Sequence, residues 1–199
     1  MKNLIPGTTI AFSEAVRDTA FSAVQPVLEA TGGLTLSQLS KLTGLGGTTI
    51  QNWIKRGWVS SPKGKKYSDK QVLRILLINM LKDSMKLEDI ARLMSYVNGD
   101  VEDNSDDIIA DMHLYNMLCR IIFTAEEEGV HDTATVEKLI DSEIEEHSGD
   151  IANAVKLRKA MYVMVTGYRC GVLKRRMEEV LNGVLEEQKA GSLGKKLEP

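Results

Sequence analysis

A chain of 199 residues, 43% hydrophobic and 27% charged, is long enough to bury a core and has the composition of an ordinary globular protein. The two cysteines, Cys119 and Cys170, stand alone, so a disulfide framework or a Cys-x-x-Cys metal site is excluded, and both are expected as buried thiols in a reducing cytosol. The longest apolar run, residues 160–173, contains Arg169 and is too short to span a bilayer, and the N-terminus lacks the pattern of a signal peptide. A cytoplasmic protein without membrane association is expected.

The net charge of −3 hides a division along the chain. Residues 34–98 hold eleven Lys/Arg against four Asp/Glu. Residues 99–150 hold two against sixteen, and residues 151–199 ten against five. A basic stretch is joined to an acidic one, and the local field is what a polyanionic partner meets.

Residues 9–30 read as one helix. Ser13 is placed to cap it, Phe12, Val16, Ala20, Ala23 and Val27 recur at helical spacing, and Pro26 is placed to kink or shorten it. Thr31-Gly32-Gly33 breaks the pattern. Thr35 and Gln38 then form a capping box for a short helix with Leu36 and Leu39 on one side, and Gly44 suits the position just past its end. After a glycine-containing turn, a second short helix is predicted from about Thr48 to Arg56. Ile50, Trp53 and Ile54 face inward, while Thr48, Gln51, Asn52 and Lys55 share the outer side. Gly57 stops it. Two short helices about a tight turn are the sequence form of a helix-turn-helix. Asn and Gln can bond adenine edges, Lys can reach guanine or phosphate, and Thr can touch a thymine methyl.

"WVSSPKGKKYS" follows as a small hairpin, a wing with Val59 and Tyr67 as its arms and Pro62-Lys63-Gly64-Lys65 at its tip. It would offer Lys63, Lys65 and Lys66 to phosphates. Ser68 and Gln71 form another capping box, opening a helix to about Lys82 with core positions Val72, Ile75, Leu76 and Met80. Residues 86–97 make a further helix that buries Leu87, Ile90, Leu93, Met94 and Val97. The acidic stretch 98–107 lacks the spacing of a calcium loop and reads as a boundary.

Beyond it, residues 107–130 form an apolar-rich helix and residues 133–146 an amphipathic one. Residues 150–188 form one long helix or two, in which Leu173, Met177, Val180 and Val184 follow the 3.5-residue rhythm of a helix–helix seam. Gly167 and Gly171 would let another helix approach closely. The last residues read as a tail. Trp53 is inward and belongs to the core, and Trp58 belongs either to the core or beneath the wing. Met112, Met117, Met161 and Met164 are core filler, although an adaptable apolar cavity among the C-terminal helices is compatible with them. His113, His131 and His147 lack ligand spacing. No nucleophile–base pair, phosphate loop or paired carboxylate stands out, so neither catalysis nor a cofactor is expected.

Residues 34–97 resemble the DNA-binding domain of the MerR regulators. "LSQLSKLTGLGGTTIQNWIKRGWV" is similar to that family's opening pair of helices, and "KKYSDKQVLRILLINMLKDSMKLEDIARLM" to the following two. The chain resembles more closely still an uncharacterised bacterial domain-of-unknown-function family that joins a MerR-like reader to an all-helical remainder. The resemblance implies a mostly α fold: a MerR-like winged helix-turn-helix with a small β-hairpin wing, followed by an all-helical C-terminal domain. Where MerR proteins carry an Arg, paired tyrosines and a Glu on the recognition helix, this chain reads Gln51, Asn52, Trp53 and Ile54. The metal-binding cysteine loop is missing, so base preference, promoter twisting and metal sensing do not carry over.

The expected organisation is an N-terminal helix (1–33), the winged helix-turn-helix (34–98), a helical dimerisation or effector domain (99–190) and a tail (191–199). The expected function is sequence-specific regulation of transcription on double-stranded DNA. The expected DNA-binding residues are Thr48, Thr49, Gln51, Asn52, Lys55, Arg56, Lys63, Lys65, Lys66 and Tyr67. A homodimer through the C-terminal helices is expected, and there is room for an unidentified small-molecule effector. The alternative is a protein-interaction adaptor that keeps the helix-turn-helix shape without using it on DNA, and a third reading is an enzyme in the C-terminal half.

Overall fold

The structure is a computed structural model that describes residues 4–99, 107–130, 132–147 and 151–194. The acidic loop expected at 98–107, His131 and the end of the tail lie largely or wholly outside the described residues. The chain runs through two 3-10 turns (Glu14–Val16 and Ala20–Ala23), α1 (Gln25–Thr31), β1 (Leu34–Thr35), α2 (Leu36–Thr43), α3 (Gly47–Lys55), β2 (Lys66–Tyr67) and α4 (Asp69–Leu81). It continues through α5 (Leu87–Asn98), α6 (Asp111–Glu127), α7 (Thr133–His147) and α8 (Ile151–Gly194). It is mostly helical, with one small antiparallel sheet.

The helix expected over 9–30 is instead the two 3-10 turns and the short α1. Its polar backbone is bonded to other parts of the chain. The Thr9 N–H and hydroxyl donate to the Leu42 and Lys41 carbonyls at 2.8 Å each, at the end of α2. The Asn79 amide donates to the Gly7 carbonyl, the Tyr115 hydroxyl to that of Pro6, and the Asn116 side chain accepts from the Phe21 N–H. With these partners available, no helical ladder is needed. Ser13 makes no side-chain cap, and Pro26 sits in the first turn of α1, where its missing N–H costs nothing. The buried set is Ala20, Phe21, Val24 and Leu28, while Val27 is 48% exposed.

α2 forms as its sequence dictates. The Thr35 hydroxyl accepts from the Gln38 N–H, the Gln38 side chain accepts from the Thr35 N–H, and Gly44 takes the left-handed conformation past the end. α4 begins on the Ser68–Gln71 capping box, and Gln71 also donates to the Ser60 carbonyl. The expected wing differs. Tyr67 pairs with Leu34 and Lys66 with Thr35, so β2 lies against β1 rather than against Val59. Only a bridge from Lys63 to Lys66 remains of the hairpin, around consecutive positive φ at Gly64 and Lys65. Gly33 explains the pairing. At φ +112 it lets β1 pass β2 so closely that a Cβ there would lie 2.7 Å from the Tyr67 carbonyl oxygen.

Every residue of α4 from Gln71 to Leu81 is buried. Val72, Ile75, Leu76 and Met80 are core as expected, and so are Leu73, Leu77, Ile78 and Leu81. α2, β2, α5, α6 and α8 all pack on this helix. One continuous cluster of buried apolar residues therefore runs from Ile5 to Tyr168. The expected boundary at Asn98 separates two stretches of sequence that share a core. α8 is a single helix of 44 residues whose first half joins this core through Leu157, Met161, Met164, Val165 and Tyr168.

Asp83, in the corner between α4 and α5, fastens α8 in place. Its carboxylate meets Lys82 at 2.6 Å and also bonds Arg175, and its backbone carbonyl accepts from Lys174. Gly167 and Gly171 let α8 approach this corner and the end of α4 closely: a Cβ at Gly167 would lie 3.3 Å from the Met85 sulfur and 3.4 Å from Leu81 of α4, and one at Gly171 3.5 Å from the Asp83 side chain. Burial pushes the Asp83 pKa up, but the hydrogen bonds from Lys82 and Arg175 and their charges outweigh it, leaving the carboxyl below its ordinary value.

Leu76→Ala removes a fully buried side chain from the shared helix and is expected to cost about 2–5 kcal/mol. Tryptophan fluorescence reports the α3 region and far-UV circular dichroism reports mainly the long C-terminal helices. The two signals are expected to fall together in urea as one transition, and separate transitions would show independent cores. The depressed Asp83 carboxyl contributes stability that is fully present above its unfolded pKa of about 4 and is lost as pH falls through the folded value. Urea midpoints of the native chain and Asp83→Asn are therefore expected to differ near neutrality and to converge in acid.

Candidate nucleic-acid interface

α3 buries one side and leaves the other open. Ile50 is fully buried and Trp53 nearly so, with Ile54 half-buried beside them. Thr48, Gln51, Asn52 and Lys55 are all exposed, as their spacing predicts. The acidic helices α6 and α7 leave this side uncovered. Gly46 precedes α3 without a side-chain cap, and the first turn holds no acidic residue, so the positive end of the helix faces outward without a built-in anion. At the other end the Trp58 and Gly57 N–H groups bond the Trp53 and Ile54 carbonyls at 3.0 and 2.9 Å, the paired bonds of a Schellman motif, and turn the chain sharply away.

The cations around α3 differ in their freedom. Lys55, Lys63 and Lys65 are exposed, and among the described residues none of them has an ion-pair partner. The Lys66 ammonium donates to the Thr31 carbonyl at the end of α1, where a cation complements the negative end of the helix. Arg56 bonds Glu88 of α5 at 3.0 Å and lies 5.1 Å over the Trp58 ring. Both side chains of that pair are more than half exposed, so it contributes at most about 1 kcal/mol and an incoming phosphate can compete with it. Tyr67 departs from expectation: it is 3% exposed, paired with Leu34, and burial raises the pKa of its phenol. It holds the sheet together and offers no surface to a ligand.

Thr49 is half-buried and lines, with Asn52, Lys55 and Arg56, an open groove of about 670 Å³ closed on its far side by Trp58, Leu87 and Glu88. The groove brings α5 into the site. Trp58 immediately after the helix stop was its only sequence signal, and nothing in the local pattern singles out Glu88. A second cavity of about 160 Å³ lies between α6 and α8, lined mainly by Ile122, Ala125, Val130, Tyr168 and Val172 with Glu126 and Arg169 at its edge. It is smaller than the 300 Å³ or more typical of sites for drug-sized ligands. Arg169 there bonds the Val130 carbonyl, and burial raises the pKa values of Glu126 and Tyr168. Among the described residues, no group of three or more His, Cys, Asp or Glu is placed to hold a metal ion, and no helix is long and apolar enough to cross a membrane.

A protein of Bacillus subtilis (strain 168) described as uncharacterized protein YkrK is 33% identical over 91 residues. The match covers 44% of this chain, which spans 39% of the length of that relative. No solved structure matches the chain. Residues 30–118 match a family along a stretch that includes β1, α2, α3, β2, α4, α5 and the first turns of α6. That family is described as Domain of unknown function (DUF1836), and over those residues the chain is similar to it.

Proposed function

We propose that this chain binds duplex DNA and regulates transcription, with α2 and α3 acting as a helix-turn-helix of the kind the MerR regulators use. The observation that carries the reading is the open side of α3, where Thr48, Gln51, Asn52 and Lys55 stand exposed together beside Lys63 and Lys65. α3 has the size to enter a major groove, and its outer residues include an amide pair suited to adenine edges. Lys55, Lys63 and Lys65 are free to meet phosphates, and Arg56 can exchange Glu88 for one. The wing is a tight basic turn, short enough to limit the phosphate contacts of one copy. Affinity from a single copy is therefore modest.

The adaptor reading is favoured by a different observation, the exposed apolar residues along the second half of α8. A mobility-shift assay over genomic fragments separates the two, since an adaptor gives no retardation at low salt.

Binding is expected to weaken steeply with salt. Replacing Lys55, Lys63 and Lys65 together by Ala is expected to lower the slope of log affinity against log salt by about 3, roughly one unit per phosphate contact. Loss of affinity without any change of slope would place these lysines away from the phosphates. Gln51→Ala and Asn52→Ala are each expected to cost about 1–3 kcal/mol on the preferred site and less on random duplex, measured by competition titration. Equal losses on both duplexes would remove base reading from α3.

A further inference from the structure

Hydrogen bonds fix the walls of the cavity between α6 and α8. Past the end of α6, Gly129 turns in the left-handed conformation at φ +62. The Val130 N–H then bonds the Ala125 carbonyl at 2.8 Å, and Arg169 of α8 bonds the Val130 carbonyl. These bonds fold Val130 back over the last turn of α6, where it forms a wall with Ile122, Ala125 and Val172. Packed interiors leave few voids larger than a water molecule. This one, at about 160 Å³, is close to the roughly 150 Å³ that holds one benzene ring in an apolar interior. Glu126 and Leu173 at its edge are exposed, so it opens to solvent.

One polar group inside lacks a partner. Tyr168 is 8% exposed and lines the cavity, and its hydroxyl makes no hydrogen bond among the described residues. Buried polar groups are otherwise satisfied in folded proteins. Burial holds the Tyr168 phenol well above its ordinary pKa, so the hydroxyl stays protonated and can donate at neutral pH. The charge of Glu126 reaches this hydroxyl, and the charge of Arg169 reaches Glu126. A carboxylate ligand would meet Glu126 at the edge, and an ammonium ligand Arg169. Either ion faces a like charge, so the edge favours a neutral occupant.

We infer that this cavity binds a small neutral aromatic molecule, a single ring bearing one hydroxyl or carbonyl group, with that group hydrogen-bonded to the Tyr168 hydroxyl. The apolar walls supply burial and dispersion, and the one polar contact orients the ring. The lining residues run from Ile122 to Leu173, beyond residues 30–118 that match the family. The site is also separate from α3. It holds whether or not the protein retards DNA, so failure of the mobility shift leaves it untouched.

Phenol and benzene, titrated into the full chain and followed by methyl NMR, test it. Both probes are expected to shift the methyl signals of Ile122, Val130 and Val172 saturably, with phenol the tighter at roughly millimolar affinity or better. Tyr168→Phe keeps the ring and removes only a hydroxyl that no other residue uses, so the fold is expected to survive it. It is expected to weaken phenol about 5-fold, the worth of one net hydrogen bond, and to leave benzene unchanged. Val172→Phe places a ring in the cavity itself and is expected to abolish the binding of both probes, with far-UV dichroism unchanged. No saturable shift with either probe, or shifts confined to other methyl groups, would overturn the site. Equal affinity for phenol and benzene in the native chain, or no selective loss of phenol in Tyr168→Phe, would overturn the role of Tyr168. If Val172→Phe does not fold, the native titrations and Tyr168→Phe decide the matter by themselves.

Discussion

α4 is buried on all sides, and the packing of its neighbours follows from that. From Gln71 to Leu81 the helix presents no face to solvent, and an apolar helix of that kind is stable only when other elements enclose it. α2, β2, α5, α6 and α8 all pack against it. The N-terminal arm closes a further gap. Gly7, at φ +77, passes so near the Leu76 carbonyl that a Cβ would lie 2.5 Å from its oxygen. The arm is held there by Asn79 and Tyr115, polar groups on the helices it crosses. The three buried polar side chains of α4 are each answered. Gln71 caps and reaches Ser60, Asn79 bonds the Gly7 and Thr43 carbonyls, and Arg74 lies under the Trp58 carbonyl. Burial lowers the Arg74 pKa, and the charges of Asp111 and Asp107 act against that loss. A basic stretch and an acidic stretch thus meet through a buried cation.

α3 occupies the opposite extreme. Its inner side contributes Ile50 and Trp53 to the core, and its outer side makes no demand on the fold. Residues there are free to be chosen for a partner, because replacing them leaves no cavity and strands no buried polar group. The same separation governs the surrounding cations. Lys66 and Tyr67 serve the small sheet and the end of α1, and Arg56 is shared between Trp58 and Glu88. Lys55, Lys63 and Lys65 remain outside these structural tasks.

α8 joins the two regimes in a single helix. As far as Val172 its side chains answer to α4, α5, α6 and α7, and Asp83 with Gly167 and Gly171 fixes where it crosses the body. Past that point its apolar positions, from Leu173 to Leu185, are exposed. The helix continues without a break, so the orientation of the projecting part is set by the corner between α4 and α5, which is also attached to the elements that carry α3.

Much of this was legible locally. Thr35 with Gln38, and Ser68 with Gln71, announce helix starts because a capping box is satisfied by four consecutive residues. The exposed and buried sides of α3 follow from periodicity alone, and so does the heptad of α8. The apolar run from Val72 to Leu81 carried the further message that α4 is enclosed, but periodicity within one segment cannot say by what. The N-terminal helix failed for a related reason: its spacing was compatible with a helix, yet Leu42 and Asn116, distant in sequence, offered its backbone other partners. Tyr67 failed because strand pairing is a contact at a distance, and Leu34 won it over Val59 through the close approach that Gly33 permits. The ties of Lys66 to Thr31 and Arg56 to Glu88 are likewise invisible to spacing. The starts of α2 and α4, the two-sided character of α3 and the apolar spacing along α8 each depend on residues within a turn or two of one another, and so they can be read along the chain. The shared core, the sheet and the freedom of each basic residue depend on groups that only the packed chain brings together.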